Sequence, residues 1–342
     1  MLYMSFENNI PLDDDALRRI EQTLFAMRRV IEERSLRNCP NELLPAGNWS
    51  KNFFLDAARL VSEGQPETLN QLLWYTNTFT GVKPALWAKH SGMWSTDPVP
   101  TDHHRIGREN VHRFGDVIAE FESIRRAASD LPLPPVPPIM GQTGIWQDGY
   151  ILNTTNCRYY AQLVALYLAG ALPEEGTLLE IGGGYGGLAY LIRKVRPNLR
   201  YIAIDLPESL LFTGAYLTGT LPDGEAQVIA SPDGVFNTTS RLILCPSDFA
   251  PALFEAFPRI DAAINFASFG EMGEAALDYY AGMLGSRLGG ILYEVNQSAG
   301  PFITCDVQAI LSQYFNGPEH PTLPFRKFDG EHRIWRRFAG HH

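Results

Sequence analysis

The run LLEIGGGYGGLAYLIRKV, residues 178–195, carries the residue types and spacing most suited to chemistry. Five glycines, Gly182, Gly183, Gly184, Gly186 and Gly187, stand between an apolar run and a segment whose apolar residues recur at helical spacing. A strand that turns into a helix through such a loop needs backbone at positive φ. It also brings main-chain N–H groups close to a ligand, which a β-carbon would prevent. A nucleotide-like ligand is the expectation. The next apolar run ends at Asp205, followed by Leu206 and 19 residues beyond Gly186, where a carboxylate can accept hydrogen bonds from two ribose hydroxyls.

The glycines admit two readings. Gly182-x-Gly184-x-x-Gly187 satisfies the dinucleotide pattern. The longer pattern Glu180-x-Gly182-x-Gly184-x-Gly186 resembles motif I of the class I S-adenosylmethionine-dependent methyltransferases, with an acidic residue ahead of the glycines. In order along the chain, TTNCRYYAQLVAL, LEIGGGYGGLAYLIRK, YIAIDLPES, LILCPSDF and INFASFGEMGEAALDYY look like the sugar O-methyltransferase family over roughly residues 150–300. That resemblance implies a Rossmann-like α/β sheet with helices on both faces. It also implies S-adenosylmethionine across the carboxyl ends of the first four strands and a small-molecule acceptor, a sugar or natural-product hydroxyl, beyond the fourth and fifth. Other classes stay open: a small-molecule N-methyltransferase, a nicotinamide-dependent oxidoreductase, and a cofactor-binding subunit that turns nothing over. The plainest alternative is a glycine-rich turn with no ligand.

Further candidates follow from the same frame. Asn153, Asn156 and Arg158 precede the helix leading into the first strand, and the resemblance implies that Arg158 reaches the cofactor carboxylate, since a guanidinium binds a carboxylate through two hydrogen bonds. A helix cap beside a solvated arginine explains them equally well. Ser247 and Asp248 follow the third strand, where adenine would lie, and also suit a helix cap. Asn265 and Ser268 sit at the end of the fourth strand, on the cofactor side. A hydroxyl acceptor ionises poorly, so a base beside it helps transfer. Glu271 is the first candidate, against a plain acidic residue in a helix's first turn, and His320 in GPEHPTLPF is the second, against an exposed loop histidine. Asp102, His103 and His104 are adjacent, which rarely lets side chains converge on one ion, and no metal is expected.

These residues need elements to hold them. The chain has 342 residues and a formal net charge of −10, which disfavours nucleic acid and anionic membranes as partners; a homodimer is compatible with it. Cys39, Cys157, Cys245 and Cys305 form no CxxC pair and read as free thiols of a cytoplasmic protein, and the acidic amino end shows no secretory signal. Residues 1–140 read as an all-helical cap, with helices over 13–37, 51–62, 66–75 and 109–128, and with Trp74, Tyr75, Trp87 and Trp94 as pocket or core aromatics. The cap ends in LPLPPVPP, residues 131–138, a stiff linker. Residues 141–342 read as the Rossmann-like domain, with strands at 177–181, 200–205, 241–245, 261–266 and 289–295. Helices are expected at 185–195, 207–217, 249–257, 271–288 and 306–315, with an extra hairpin within 222–240 and an antiparallel edge formed by FRKF and HRIWRRF.

Overall fold

The computed structural model describes residues 2–4, 10–37, 39–45, 49, 114–139, 142, 144–300, 302–326 and 330–338. Strands β1 (Leu2–Met4), β2 (Gly144–Gln147) and β3 (Tyr150–Leu152) form a small antiparallel sheet. The main sheet comprises β4 (Thr177–Ile181), β5 (Arg200–Asp205), β6 (Ala226–Val228), β7 (Leu242–Pro246), β8 (Ile260–Phe266), β9 (Leu288–Asn296), β10 (Phe315–Glu319) and β11 (Glu331–Arg337). Their spatial order is β10-β11-β9-β8-β4-β5-β7-β6, with β11 antiparallel to both its neighbours and the pairs from β9 to β6 parallel. This is a Rossmann-like α/β sheet, parallel from β9 to β6 with an antiparallel edge. The chain leaves β4 toward β5 on one side and later fills β8 on the other. The order therefore reverses at β4, and the carboxyl ends there open a crevice.

Helices α1 (Asp14–Glu32), α2 (Phe114–Ala127), α3 (Thr154–Leu168), α4 (Gly187–Val195), α5 (Pro207–Thr220), α6 (Pro232–Asn237), α7 (Ala250–Ala256), α8 (Glu274–Arg287) and α9 (Val307–Leu311) complete the described fold. Every residue of β4 and β7 is buried, as expected for strands covered on both faces. Asp13 caps α1 by accepting from the Ala16 N–H at 2.7 Å, and Ile20, Leu24, Met27 and Val30 form its buried face. That face packs on α5, where Arg19 Nε donates to the Thr218 carbonyl at 2.9 Å. Covered by the sheet and by α1, α5 is buried continuously from Pro207 to Gly219.

The proline run is fixed in place. Prolines present carbonyls but no N–H, so only acceptors need partners. The hydroxyls of Tyr150, Tyr160 and Tyr190 donate to the carbonyls of Leu133, Pro134 and Pro135 at 2.7, 2.9 and 3.5 Å.

Several expectations shift. The amino-terminal region contributes β1 as well as helices, and its partner hairpin turns through Asp148 (φ 51°) and Gly149 (φ 87°). Two positive φ values make a turn whose twist matches its strands. The stretch 222–240 holds no hairpin: β6 adds to β7 in parallel and α6 follows. The late edge strand is Phe315–Glu319 rather than FRKF, whose Phe325 and Arg326 lie outside any strand. Phe315 turns into the core, and Pro318 is tolerated because β10 is the outermost strand. The helix expected from residue 271 starts at Glu274, because Gly273 is extended and Phe269–Glu271 form a 3₁₀ turn. The expected helices over 51–62 and 66–75, the start of that over 109–128, and Trp74, Tyr75, Trp87, Trp94, Asp102, His103 and His104 lie outside the described residues. Among the described residues no helix is long and apolar enough to cross a membrane.

A buried polar chain braces the sheet beside the crevice. Arg333 Nη1 donates to Glu294 Oε1 at 3.1 Å, and Asn296 Nδ2 donates to Glu294 at 2.8 Å and to Asn265 Oδ1 at 2.9 Å. Asn265 Nδ2 in turn donates to the Ile181 carbonyl at 2.7 Å, tying β8 to the end of β4. Removing one partner of a buried pair leaves the other charge uncompensated. Arg333→Met should therefore lower unfolding free energy by about 3–5 kcal/mol in urea titrations, whereas an unchanged midpoint would show the pair to be dispensable.

Candidate functional site

A cavity of about 440 Å³ opens at the carboxyl ends of β4, β5 and β8. Arg158, Glu180, Gly182, Gly183, Gly184, Asp205, Leu206, Ser247, Ser268 and Glu271 all line it. Residues separated by more than a hundred positions in sequence thus meet around one space.

The glycine loop forms its floor. Gly182 and Gly184 have φ of +83° and +55°. They differ in surroundings: a β-carbon on Gly182 would lie 2.1 Å from Ser268 Oγ, whereas one on Gly184 would meet only Tyr159 Oη at 3.9 Å. Gly182 is therefore required by packing, and Gly184 by its turn and by the open space in front of it. Asp205 faces the loop from the next strand. Its carboxylate accepts from the Leu206 N–H at 2.8 Å and from Ser209 Oγ at 3.0 Å, and the nearby backbone N–H groups of Gly184 and Gly183 also favour its charged form. Loss of hydration raises its pKa to about 6 against these bonds. Glu180 is buried, and its pKa is pushed up to about 8 by burial, opposed by the Tyr201 hydroxyl that donates to it and reinforced by Asp205. Near neutral pH it holds a proton.

Glu271 lines the cavity from the turn after β8. Its 3₁₀ turn is held by the Gly270 N–H donating to Asn296 Oδ1 at 3.0 Å and by the Thr304 N–H donating to the Gly270 carbonyl at 2.7 Å. Burial raises the Glu271 pKa to about 7, a Trp49 hydrogen bond opposes the rise, and Asp205 adds to it. A partly buried carboxyl poised near neutrality at a cavity wall can accept a proton.

Four expected site residues stand elsewhere. Gly186 is the residue just before α4, with φ of +93°, and faces Leu217 and Thr213, so it shapes helix packing. Asp248 turns its carboxylate away from the cavity toward Arg34. Asn265 is wholly buried in the polar chain and reaches the cavity only through Ser268. His320 is exposed beyond the edge strand β10 and does not line the cavity, since the sheet centre where the crevice opens is several strands away. Of the residues before the first strand, Asn153 caps α3 and Asn156 donates to the Ile151 carbonyl at 2.9 Å, while Arg158 reaches the cavity.

Sequence reasoning missed Leu43, Leu44, Trp49, Tyr159, Gln162 and Phe302, which also form walls; Met272, read beside Ser268 and Glu271 at the open edge of the fourth strand, lines the cavity too. Leu43, Leu44 and Trp49 come from the amino-terminal region, and only tertiary packing brings them here. Phe302 was findable as an aromatic in the loop after the fifth strand of the Rossmann-like part. Among the described residues no cluster of three or more histidine, cysteine, aspartate or glutamate side chains could hold a metal ion. The four cysteines are free thiols.

No protein-family model matches the chain, and no curated protein is significantly similar to it in sequence. Among solved structures it is similar to human N-acetylserotonin methyltransferase in complex with S-adenosylmethionine, at 12% identity and a TM-score of 0.31 over 53% of this chain and 55% of that one. It is also similar to precorrin-6y C5,15-methyltransferase from Geobacter metallireducens, at 15% and 0.32 over 52% and 89%. A protein from Nostoc punctiforme provisionally described as an O-methyltransferase aligns at 14% and 0.34 over 65% and 72%. Likeness at these scores carries no argument about activity, which rests on the cavity's own residues.

The glycine geometry has a measurable consequence. Gly182→Ala combines left-handed backbone with a collision at Ser268, whereas Gly184→Ala meets the backbone cost alone. The first should be about 1–3 kcal/mol less stable than the second in thermal unfolding, and equal stability would show that Ser268 yields freely.

Proposed function

We propose that the cavity binds S-adenosylmethionine and that the protein is a methyltransferase acting on a small molecule, a hydroxyl of a sugar or natural product. One observation carries the reading: a single cavity runs from the glycine loop and Asp205, suited to a ribose, to Glu271, suited to a proton. The residues fit the cofactor. Gly184 faces open space, Asp205 can accept from two ribose hydroxyls, Leu206 and Ser247 flank the position of an adenine, and Arg158 suits a carboxylate. The cofactor supplies an electrophilic methyl group. The chain's own residues orient the two reactants, exclude water, and take the acceptor proton at the Glu271 carboxylate. Trp49, Phe266 and Phe302 offer aromatic faces for a ring-shaped acceptor. In this reading residues 1–140 cap the site and 141–342 carry the binding loop, with Glu42, Leu43, Leu44 and Trp49 as the cap's described contribution.

A nicotinamide dinucleotide is the competing ligand, because the Tyr159 ring packed where a Gly187 β-carbon would stand suits the third glycine of that pattern as well; calorimetry should show NAD binding at least about a hundredfold more weakly than S-adenosylhomocysteine. An amine acceptor would not need the base, so the pH profile separates it from a hydroxyl.

Two tests follow. The Asp205 carboxylate binds a diol best when ionised, so affinity for S-adenosylhomocysteine in calorimetry should rise from about pH 5 to about pH 7 as the group, with its pKa of about 6, loses its proton. Asp205→Asn should flatten that rise and weaken binding by about 1.5–3 kcal/mol; a pH-independent affinity in the parent protein would contradict the role. Glu271 accepts a proton only when ionised, so the methyl-transfer rate should climb to a plateau through about pH 7. Glu271→Gln should remove that limb and lower kcat about 10²–10⁴-fold at unchanged cofactor affinity, and a silent substitution would point to an amine acceptor.

A further inference from the structure

Arg34 lies in a 3₁₀ turn (Arg34–Leu36) just after α1, far in sequence from the glycine loop. Its Nη1 and Nη2 donate to the two carboxylate oxygens of Glu208 at 2.7 and 2.9 Å, and its Nε and Nη2 donate to the two of Asp248 at 3.0 and 3.2 Å. The side chains of Glu208 and Asp248 are 3% and 0% exposed, and that of Arg34 is 15% exposed. A planar fork of donors shared between two sequestered carboxylates fixes both in distance and in direction. A point charge would not hold two partners in this way.

The two carboxylates mark the two sides of one pocket. Glu208 stands in the first turn of α5, two residues after Leu206, and Asp248 directly follows Ser247. Leu206 and Ser247 both line the cavity. The third wall belongs to the segment that carries Arg34 itself: the Leu43 carbonyl accepts from Ser247 Oγ at 3.0 Å, and Leu43 and Leu44 line the same end. Arg37 supports the arrangement, with Nη1 3.9 Å from Asp248 and its guanidinium 5.1 Å from the centre of the Phe249 ring.

We infer that Arg34 is a positioning residue for ligand recognition, which pins the turn after β5, the turn after β7 and the amino-terminal segment together as the three walls of a nucleoside pocket. This rests on the reading that the ligand carries adenosine. Without the guanidinium, Glu208 and Asp248 repel each other in a sheltered place and the walls separate.

The test uses the full chain, calorimetry, and adenosine and S-adenosylhomocysteine as probes. Arg34→Ala should weaken both by about tenfold or more, and Arg34→Lys should recover only part of the loss. Millimolar guanidinium chloride should partly restore binding to Arg34→Ala. A merely unfolded variant would respond oppositely, because guanidinium denatures. In the parent protein, hydrogen exchange should slow on S-adenosylhomocysteine binding in residues 33–37 and 39–45 together with 206–210 and 247–250, a readout that needs no variant. Parent-like affinity in Arg34→Ala, or no protection in the amino-terminal segment, overturns the inference. If the parent protein binds neither probe, the cofactor reading itself fails.

Discussion

The Asp205 carboxylate does two things at once. It accepts from the Leu206 N–H and the Ser209 hydroxyl and so fixes the turn after β5, beside a loop whose Gly182 N–H donates to the Ile204 carbonyl at 2.8 Å. It also faces the cavity, where a ligand can share it. The glycines there answer separate demands: Gly182 leaves no room for a side chain beside Ser268, and Gly184 takes the left-handed backbone of its turn. Glu180 behind the loop makes a second acidic group affordable only by keeping its proton at neutral pH.

The opposite side of the crevice is fixed by a different device. The chain from Arg333 through Glu294 and Asn296 to Asn265 ties three neighbouring strands where β8 and β9 end and the antiparallel β11 begins, and Asn296 also receives the Gly270 N–H. The turn bearing Glu271 is therefore as well anchored as the glycine loop it faces. Such fully partnered buried polar groups are costly to disturb, which suits a site whose two ends must keep a set distance.

The sheet was legible in the sequence because β4, β5, β7, β8 and β9 are near-continuous apolar runs, and burial on both faces leaves that signature. The hairpin of β2 and β3 was not read from the sequence, although Asp148-Gly149 between short apolar runs is a turn signal. Other features had no local signal. Asp248 reads the same whether it caps a helix, meets adenine or pairs with an arginine more than two hundred residues earlier, and only packing decides for Arg34. Asn265 ends a strand beside the cavity, yet alternation of side chains and the demand of Asn296 turn it inward. His320 and Glu271 were both polar residues in loops; the register of β9 against β8 brings one to the crevice, and the edge position of β10 carries the other away.

The most direct measurement is a crystal structure of the protein with S-adenosylhomocysteine. The account predicts both ribose hydroxyls within hydrogen-bond distance of Asp205, adenine between Leu206 and Ser247, and the sulfur directed toward the Glu271 end of the cavity. A nucleoside bound outside this cavity, or one lying in it with its ribose away from Asp205, would contradict it.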